Sequence, residues 1–192
     1  MTSIVIAEDE AIIRLDLREL LEEEGYVVVG EAGRGDLAVT LVRELKPDVV
    51  ILDVKMPGID GIEAARQITA EGICAILMLT AFSQREIVTQ ARDAGAMAYL
   101  VKPFQKADLV PAIELATSRY AETKALVAEV SELQERLEAR KVLDRAKGLL
   151  VDQHGMKEAA AFSFIQQTAM ASRSTMRSVA ESVLKGETVP NS

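Results

Sequence analysis

Several polar residues stand directly after short apolar runs. Glu8-Asp9 follows Ile4-Val5-Ile6-Ala7, and Asp53 follows Val49-Val50-Ile51-Leu52. Thr80 ends Ala75-Ile76-Leu77-Met78-Leu79, and Lys102 follows Ala98-Tyr99-Leu100-Val101. Three carboxylates brought to one place repel each other, and a hard divalent cation relieves that repulsion. Oxygen-only donors suit Mg²⁺, which keeps waters and favours phosphate. A lysine beside them supplies fixed positive charge and three donors for a phosphoryl or carboxylate oxygen. The Thr80 hydroxyl would reach a new phosphoryl oxygen. Asp53 is then the natural acceptor, because carboxylates act as nucleophiles and form acyl phosphates. A metal held by Asp9 and Asp53 would neutralise charge on the transferring group. Taken singly, each residue has an ordinary alternative. Glu8 and Asp9 would cap a helix, Thr80 would close a turn and Lys102 would be solvated. Their joint placement after apolar runs singles them out.

These residues converge only if the runs are neighbouring parallel strands. The apolar residues Ile12, Ile13, Leu17, Leu20 and Leu21 recur at helical spacing, and Gly25 suits a left-handed C-terminal position. Tyr26–Val29 reads as the second strand, and Asp36–Leu45 as a helix ended by Lys46-Pro47. The 48–53 strand follows, then a helix over Ile59–Thr69 with Ile62, Ala65 and Ile68 inward. Next come a strand over Ala75–Thr80, a helix over Gln84–Ala94, a strand over Ala98–Val101 and a fifth helix from Leu109. The strands are mostly continuous apolar runs, as a parallel sheet covered on both faces requires. The expected fold class is α/β, with a five-stranded parallel doubly wound sheet. In such a sheet the C-terminal strand ends share one rim, where ligands bind.

With those residues in place, 3–118 resembles a response-regulator receiver domain. The matching pieces are Ala7-Glu8-Asp9-Glu10, Leu52-Asp53-Val54-Lys55-Met56-Pro57-Gly58-Ile59-Asp60-Gly61, Leu79-Thr80-Ala81 and Lys102-Pro103-Phe104. The resemblance implies phosphorylation of Asp53 by a sensor histidine kinase. Glu8 and Asp9 would be the acidic pair, and the Lys55 backbone carbonyl a further Mg²⁺ ligand. Thr80 and Tyr99 would be switch residues. Lys102 would hold the phosphate, with a cis peptide bond to Pro103. Glu8 stands where many members have aspartate, a longer arm that would reach the metal through water.

Beyond the sheet the pattern is helical. Leu126, Val130, Leu133 and Leu137 are spaced four, three and four, a heptad-like seam that would pair two chains or dock back on the first domain. The seam then meets Arg140 and Asp144, and whether helix five runs unbroken into it is open. Three helical pieces follow. The first ends at Leu150. The second spans Lys157–Met170, with Ala161, Phe162, Ile165, Gln166 and Ala169 giving an apolar face. The third spans Ser174–Leu184, with Met176, Val179, Ala180 and Val183 inward and hydroxyl caps from Ser172 to Ser174. The expected organisation is a phosphoacceptor domain over 1–118, a helical coiled-coil connector over 119–140 and a small three-helix bundle over 136–185. Residues 186–192 read as a disordered tail.

The formal net charge is −8, which argues against indiscriminate coating of nucleic acid. Residues 1–118 carry 20 acidic and 11 basic side chains, whereas 136–185 carry 9 basic and 5 acidic. Cys74 is alone in an apolar run, so it reads as a buried thiol of a reducing compartment. No leader pattern and no span of about 20 apolar residues is visible, which points to a cytoplasmic protein without membrane contact.

Residues 136–185 resemble an ANTAR domain, carried by Ala146-Lys147-Gly148-x-Leu150, Gly155-Met156, Ala161-Phe162, Ala169-Met170 and Val179-Ala180. That resemblance implies binding of RNA hairpins and transcription antitermination, with phosphorylation promoting a homodimer. Lys147 lies in the signature. Arg140, Arg145, Arg173 and Arg177 are phosphate candidates, and Gln166 is a candidate for a base edge. Two other classes compete: a DNA-binding transcription factor, and a receiver whose helices sequester a protein. An enzyme acting on an external substrate is not expected, since no nucleophile elbow, zinc pattern or phosphate loop is present. The lone His154 reads as support for a helix end.

Overall fold

The computed structural model describes residues 1–81 and 85–189. They fall into two compact units, Met1–Lys124 and Ala125–Ser192.

In the first unit five strands form one parallel sheet: β1 (Ser3–Ala7), β2 (Val27–Ala32), β3 (Val49–Asp53), β4 (Ala75–Thr80) and β5 (Ala98–Val101). Their spatial order is β2-β1-β3-β4-β5. The helices between them are α1 (Ala11–Glu23), α2 (Gly35–Leu45), α3 (Gly61–Glu71) and α4 (Arg85–Asp93). Helix α5 runs from Lys106 to His154 as one assigned helix, which answers the open question of its continuity.

Alternate strand residues face opposite ways. Val5, Ala7, Val50, Leu52, Ile76 and Met78 join one core with α2, α3 and Ala91 of α4. Ile4, Ile6, Val49, Ile51, Leu77 and Leu79 join the other with Leu17 and Leu21 of α1 and with Leu109, Ile113 and Ala116 of α5. Burial on both faces is why these strands contain so few polar residues. Helix α5 stays on this unit past the expected end at 118. Arg119 Nη1 donates to the Met97 carbonyl at 2.9 Å, and the Tyr120 hydroxyl donates to the Gly72 carbonyl at 2.6 Å.

Local signals set the ends of the helices near the rim. The Asp60 carboxylate accepts the Glu63 amide at 2.8 Å and so caps α3. Gly61 opens that helix tight against β3; a Cβ there would overlap the Asp53 carbonyl. Gly25 takes the positive φ expected of it, 82°. Ile12 departs from the expected apolar stripe. It is 77% exposed, and α1 buries Leu17 and Leu21 instead. The expected start of α4 at Gln84 lies outside the described residues.

In the second unit α6 (Glu158–Ser172) and α7 (Met176–Leu184) close a small core with the end of α5. Ala146, Leu150, Ala161, Ile165, Ala169, Val179, Ala180 and Val183 are its buried residues. Two expectations need correction here. Phe162 and Gln166 do not face inward. Phe162 is 40% exposed and Gln166 is exposed, because the row Ala161–Ile165–Ala169, with an alanine at each end, lets the helices approach more closely than a row with phenylalanine would. The cap of α7 is Thr175, whose hydroxyl accepts the Ser178 amide at 3.1 Å, rather than Ser172 to Ser174. His154 is the last residue of α5. Residues 190–192 of the expected tail lie outside the described residues.

Candidate functional site

The parallel order puts β1, β3 and β4 side by side, so the residues at their C-terminal ends meet. Asp53 ends β3, Thr80 ends β4, and Glu8 and Asp9 directly follow β1. One carboxylate oxygen each from Glu8, Asp9 and Asp53 lies within 4.8 Å of the others. Glu8 is fully buried, Asp53 is buried and Asp9 is exposed. Lys102 follows β5 and reaches back across the rim. Its Nζ is 2.5 Å from Glu8 Oε2 and 2.7 Å from Asp53 Oδ1. The other Asp53 oxygen accepts the Lys55 amide at 2.8 Å. Lys102-Pro103 is cis, as the resemblance implied. A cleft of about 290 Å³ opens over this group, lined by Asp9, Glu10, Asp53, Val54, Lys55, Ala81 and Lys102.

Charge counting shows what the cleft lacks. When ionised, three carboxylates and one ammonium leave two negative charges uncompensated. Burial pushes the Glu8 carboxyl above its ordinary range. The Lys102 hydrogen bond only partly offsets this, and the Asp53 charge adds to the push. Burial alone would lower the Lys102 ammonium, but its bonds to Asp53 and Glu8 more than reverse that and hold it above the usual lysine value. The cation is over-supplied with acceptors and the carboxylates are short of positive charge. An all-oxygen donor set with a deficit of two charges fits a divalent ion.

Thr80 is buried at the rim, and its carbonyl accepts the Lys102 amide at 2.8 Å. Tyr99 stands apart from the carboxylates. Its ring is 50% exposed and lines a groove with Val88 and Ala91 of α4 and Leu115 and Arg119 of α5. Two contributors were not anticipated. The Arg14 guanidinium donates to the Glu8 carbonyl at 2.5 Å and also pairs with Glu31 at 3.4 Å. Glu10 lines the cleft, and its amide donates to Glu8 Oε1 at 3.3 Å. Arg14 carries no signal in the sequence, since an arginine on an amphipathic helix reads as solvated. Glu10, adjacent to Glu8 and Asp9, was within reach of the argument.

The nucleic-acid candidates divide. Lys147 is held between Asp144, at 2.9 Å, and Glu158, at 3.1 Å, so it ties α5 to α6. Arg140 is 4.0 Å from Asp144, and Arg177 pairs with Glu181 at 3.0 Å. Arg145 and Arg173 are exposed and make no ion pair among the described residues. The carboxyl of Glu138 is held below its ordinary range, first by its hydrogen bond from Lys141 and then by the charges of Arg145 and Arg177. Basic groups of α5 and α7 therefore act on one region. Gln166 lies on α6.

Comparison with known proteins decides the family. The family described as "Response regulator receiver domain" matches residues 4–114, and the one described as "ANTAR domain" matches 131–184. The chain is a receiver domain fused to an ANTAR domain. It is 61% identical over 182 residues to the "Transcriptional regulatory protein PdtaR" of Mycobacterium tuberculosis, covering 95% of this chain and 89% of that one. It is 38% identical over 111 residues to the "Chemotaxis protein CheY" of Thermotoga maritima, 57% of this chain and 92% of that one. Among solved structures, the signal receiver domain of the putative response regulator NarL from Mycobacterium tuberculosis matches with TM-score 0.59 and 30% identity, over 61% of this chain and 96% of that one. Receiver and ANTAR domains are signalling modules, and the chain resembles PdtaR-like two-component regulators. No helix among the described residues is long and apolar enough to cross a membrane.

Proposed function

We propose that the chain is a two-component response regulator, phosphorylated on Asp53, that binds RNA hairpins and promotes transcription antitermination. The observation that carries it is the Lys102 ammonium bridging Glu8 and Asp53 beneath an open acidic cleft. A phosphohistidine of a sensor kinase would be the donor. An Asp53 oxygen attacks phosphorus, the P–O bond forms as the P–N bond breaks, and the histidine leaves as imidazole after taking a proton from solvent. Glu8, Asp9, Asp53 and the Lys55 carbonyl would hold Mg²⁺, which would neutralise charge on the transferring group. Lys102 is already within reach of Asp53 and keeps its charge beside the product.

The added group brings charge and strong acceptors. Thr80 would turn its hydroxyl to it, and the half-exposed Tyr99 ring would move inward. The phosphoryl group would also shift the 81–87 loop, part of which lies outside the described residues. A homodimer through Leu126, Val130, Leu133 and Leu137 would double the basic groups offered to RNA. Arg140, Arg145, Arg173 and Arg177 remain phosphate candidates. Lys147 is a weaker one, because two carboxylates already occupy it.

The test is phosphate uptake. The purified chain in Mg²⁺ takes up acid-labile phosphate from acetyl phosphate, and Asp53→Asn takes up none. Equal behaviour of the two would remove Asp53 as the acceptor.

A further inference from the structure

Glu8 is held by its backbone as well as by its side chain. Its amide donates to the Ala32 carbonyl at 2.9 Å, which ties this part of the chain to the end of β2. Its carboxylate takes Lys102 and the Glu10 amide. Its carbonyl lies past the end of β1 and accepts Arg14 Nη1 of α1 at 2.5 Å. That carbonyl and the Asp9 amide share one rigid plane, so the bond to Arg14 sets the direction in which the chain carries Asp9. Asp9 needs such a hold more than its neighbours do. Glu8 and Asp53 are buried and paired with Lys102. Asp9 is exposed, and its carboxylate makes no hydrogen bond or ion pair among the described residues.

Arg14 is itself anchored, and the anchor depends on an irregularity of β2. Arg14 Nε lies 3.4 Å from one oxygen of Glu31, and Arg18, one turn further along α1, takes the other at 2.8 Å. The ladder between β1 and β2 pairs Ile4 with Val28 but Val5 with Gly30, so Val29 is an extra residue. The shift sets Glu31 opposite Ile6, which lies in the core under α1. In an unshifted ladder Glu31 would stand opposite Ala7, on the face toward α2. The Arg14 side chain is only 23% exposed, unlike a solvated helix arginine. Glu31 answers its charge, and Arg14 does not line the cleft. It therefore does not make up the positive charge that the carboxylates lack. What it supplies is direction.

We propose that Arg14 is a positioning residue for the metal-binding carboxylates. Anchored by Glu31, it fixes the Glu8–Asp9 peptide and keeps the Asp9 carboxylate within reach of Asp53 before a divalent cation arrives. This deepens the phosphorylation reading above and rests on it. With the peptide fixed, less ordering is left for the ion to impose. Without Arg14 the peptide turns more freely, and the ion must first gather its ligands. Groups that orient metal ligands typically matter ten- to hundredfold in metal affinity. Arg14 acts through the backbone rather than on a carboxylate, which places it at the lower end.

The test is the Kd for Mg²⁺, read from the amide chemical shifts of the rim as MgCl₂ is added to the full chain. Arg14→Met keeps the apolar stem without the donors and is expected to weaken Mg²⁺ binding about tenfold. Its phosphate uptake from acetyl phosphate should need correspondingly more Mg²⁺, then approach the wild-type rate at saturation. Arg14→Lys keeps a donor and should fall between the two. Glu31→Gln loosens the anchor and should shift the Kd in the same direction by less. Arg43→Met breaks the Arg43–Glu71 pair between α2 and α3, away from the rim, and should leave the Kd unchanged. A wild-type Kd in Arg14→Met, or an equal weakening in Arg43→Met, would overturn the proposal. Should Arg14→Met fail to fold, wild-type Kd values in both Arg14→Lys and Glu31→Gln would overturn it as well. If the wild-type chain shows no Mg²⁺-dependent shifts at the rim, the metal-assisted phosphorylation reading itself fails, an outcome distinct from failure of the role of Arg14.

Discussion

Lys102 holds the rim together while the carboxylates lack counter-charge. Among the described residues it is the one cation in contact with both Glu8 and Asp53. Removing one partner of a buried ion pair costs about 3–5 kcal/mol, and the open cleft places this site at the lower end. Lys102→Ala should therefore lose about 3 kcal/mol in metal-free buffer. Mg²⁺ should recover more stability in the variant than in the wild type, because binding to the folded state alone stabilises it. Urea unfolding with and without Mg²⁺ checks this; equal Mg²⁺ effects in both proteins would contradict it.

Cys74 makes a second prediction at the same scale. Burial pushes its thiol up to about 12 from 9.0. Above pH ~9 the unfolded thiol gives up its proton, while the folded one keeps it until about 12. Stability contributed by this group is thus full below pH ~9 and falls as pH rises through the window, by up to ~1.4 kcal/mol per pH unit. Cys74→Ala should show a shallower loss of stability than wild type between pH 9 and 11. Parallel curves would show that the folded thiol ionises freely.

At the scale of elements, the middle of α5 is the exposed one. Leu126, Val130, Leu133 and Leu137 are 51–62% exposed on a helix that has no other cover among the described residues there. A pairing seam would account for four such residues at heptad spacing. Leu133→Glu should leave the stability of the unphosphorylated chain within about 0.5 kcal/mol, as surface changes do, and abolish the proposed phosphorylation-dependent dimerisation. Size measurement by light scattering decides it; a variant that still dimerises would take the seam out of the interface.

Elements differ in how far the sequence announced them. The strands were legible because a sheet buried on both faces leaves almost no room for polar residues, so Val49–Asp53 or Ala75–Thr80 read only one way. The rim residues were legible only together, because each alone has an ordinary use and it is their joint placement after apolar runs that singles them out. Helix α6 was not. Its apolar residues fall in two adjacent rows, Ala161–Ile165–Ala169 and Phe162–Met170 with Gln166 between, and alanine fits inside or outside equally. Only the close approach of three helices selects the row Ala161–Ile165–Ala169 for the core. The role of Lys147 was hidden in the same way, because its partner Glu158 comes from the next helix.

For the whole molecule, the two ends carry opposite electrostatic characters. The first 118 residues have nine more acidic than basic side chains, and 136–185 have four more basic than acidic. A net of four positive charges is modest for holding RNA, and pairing two chains doubles the phosphates that can be neutralised, which steepens affinity. On the proposed function, phosphorylation on Asp53 would gain an output at the other end of the chain through the number of copies assembled. The most direct test of that coupling is affinity for a selected hairpin RNA, measured before and after acetyl phosphate with Mg²⁺, in wild type and in Asp53→Asn. The wild type should tighten by about tenfold or more, equivalent to ~1.4 kcal/mol, and Asp53→Asn should not change. Equal affinity in all four conditions would contradict control of RNA binding by Asp53.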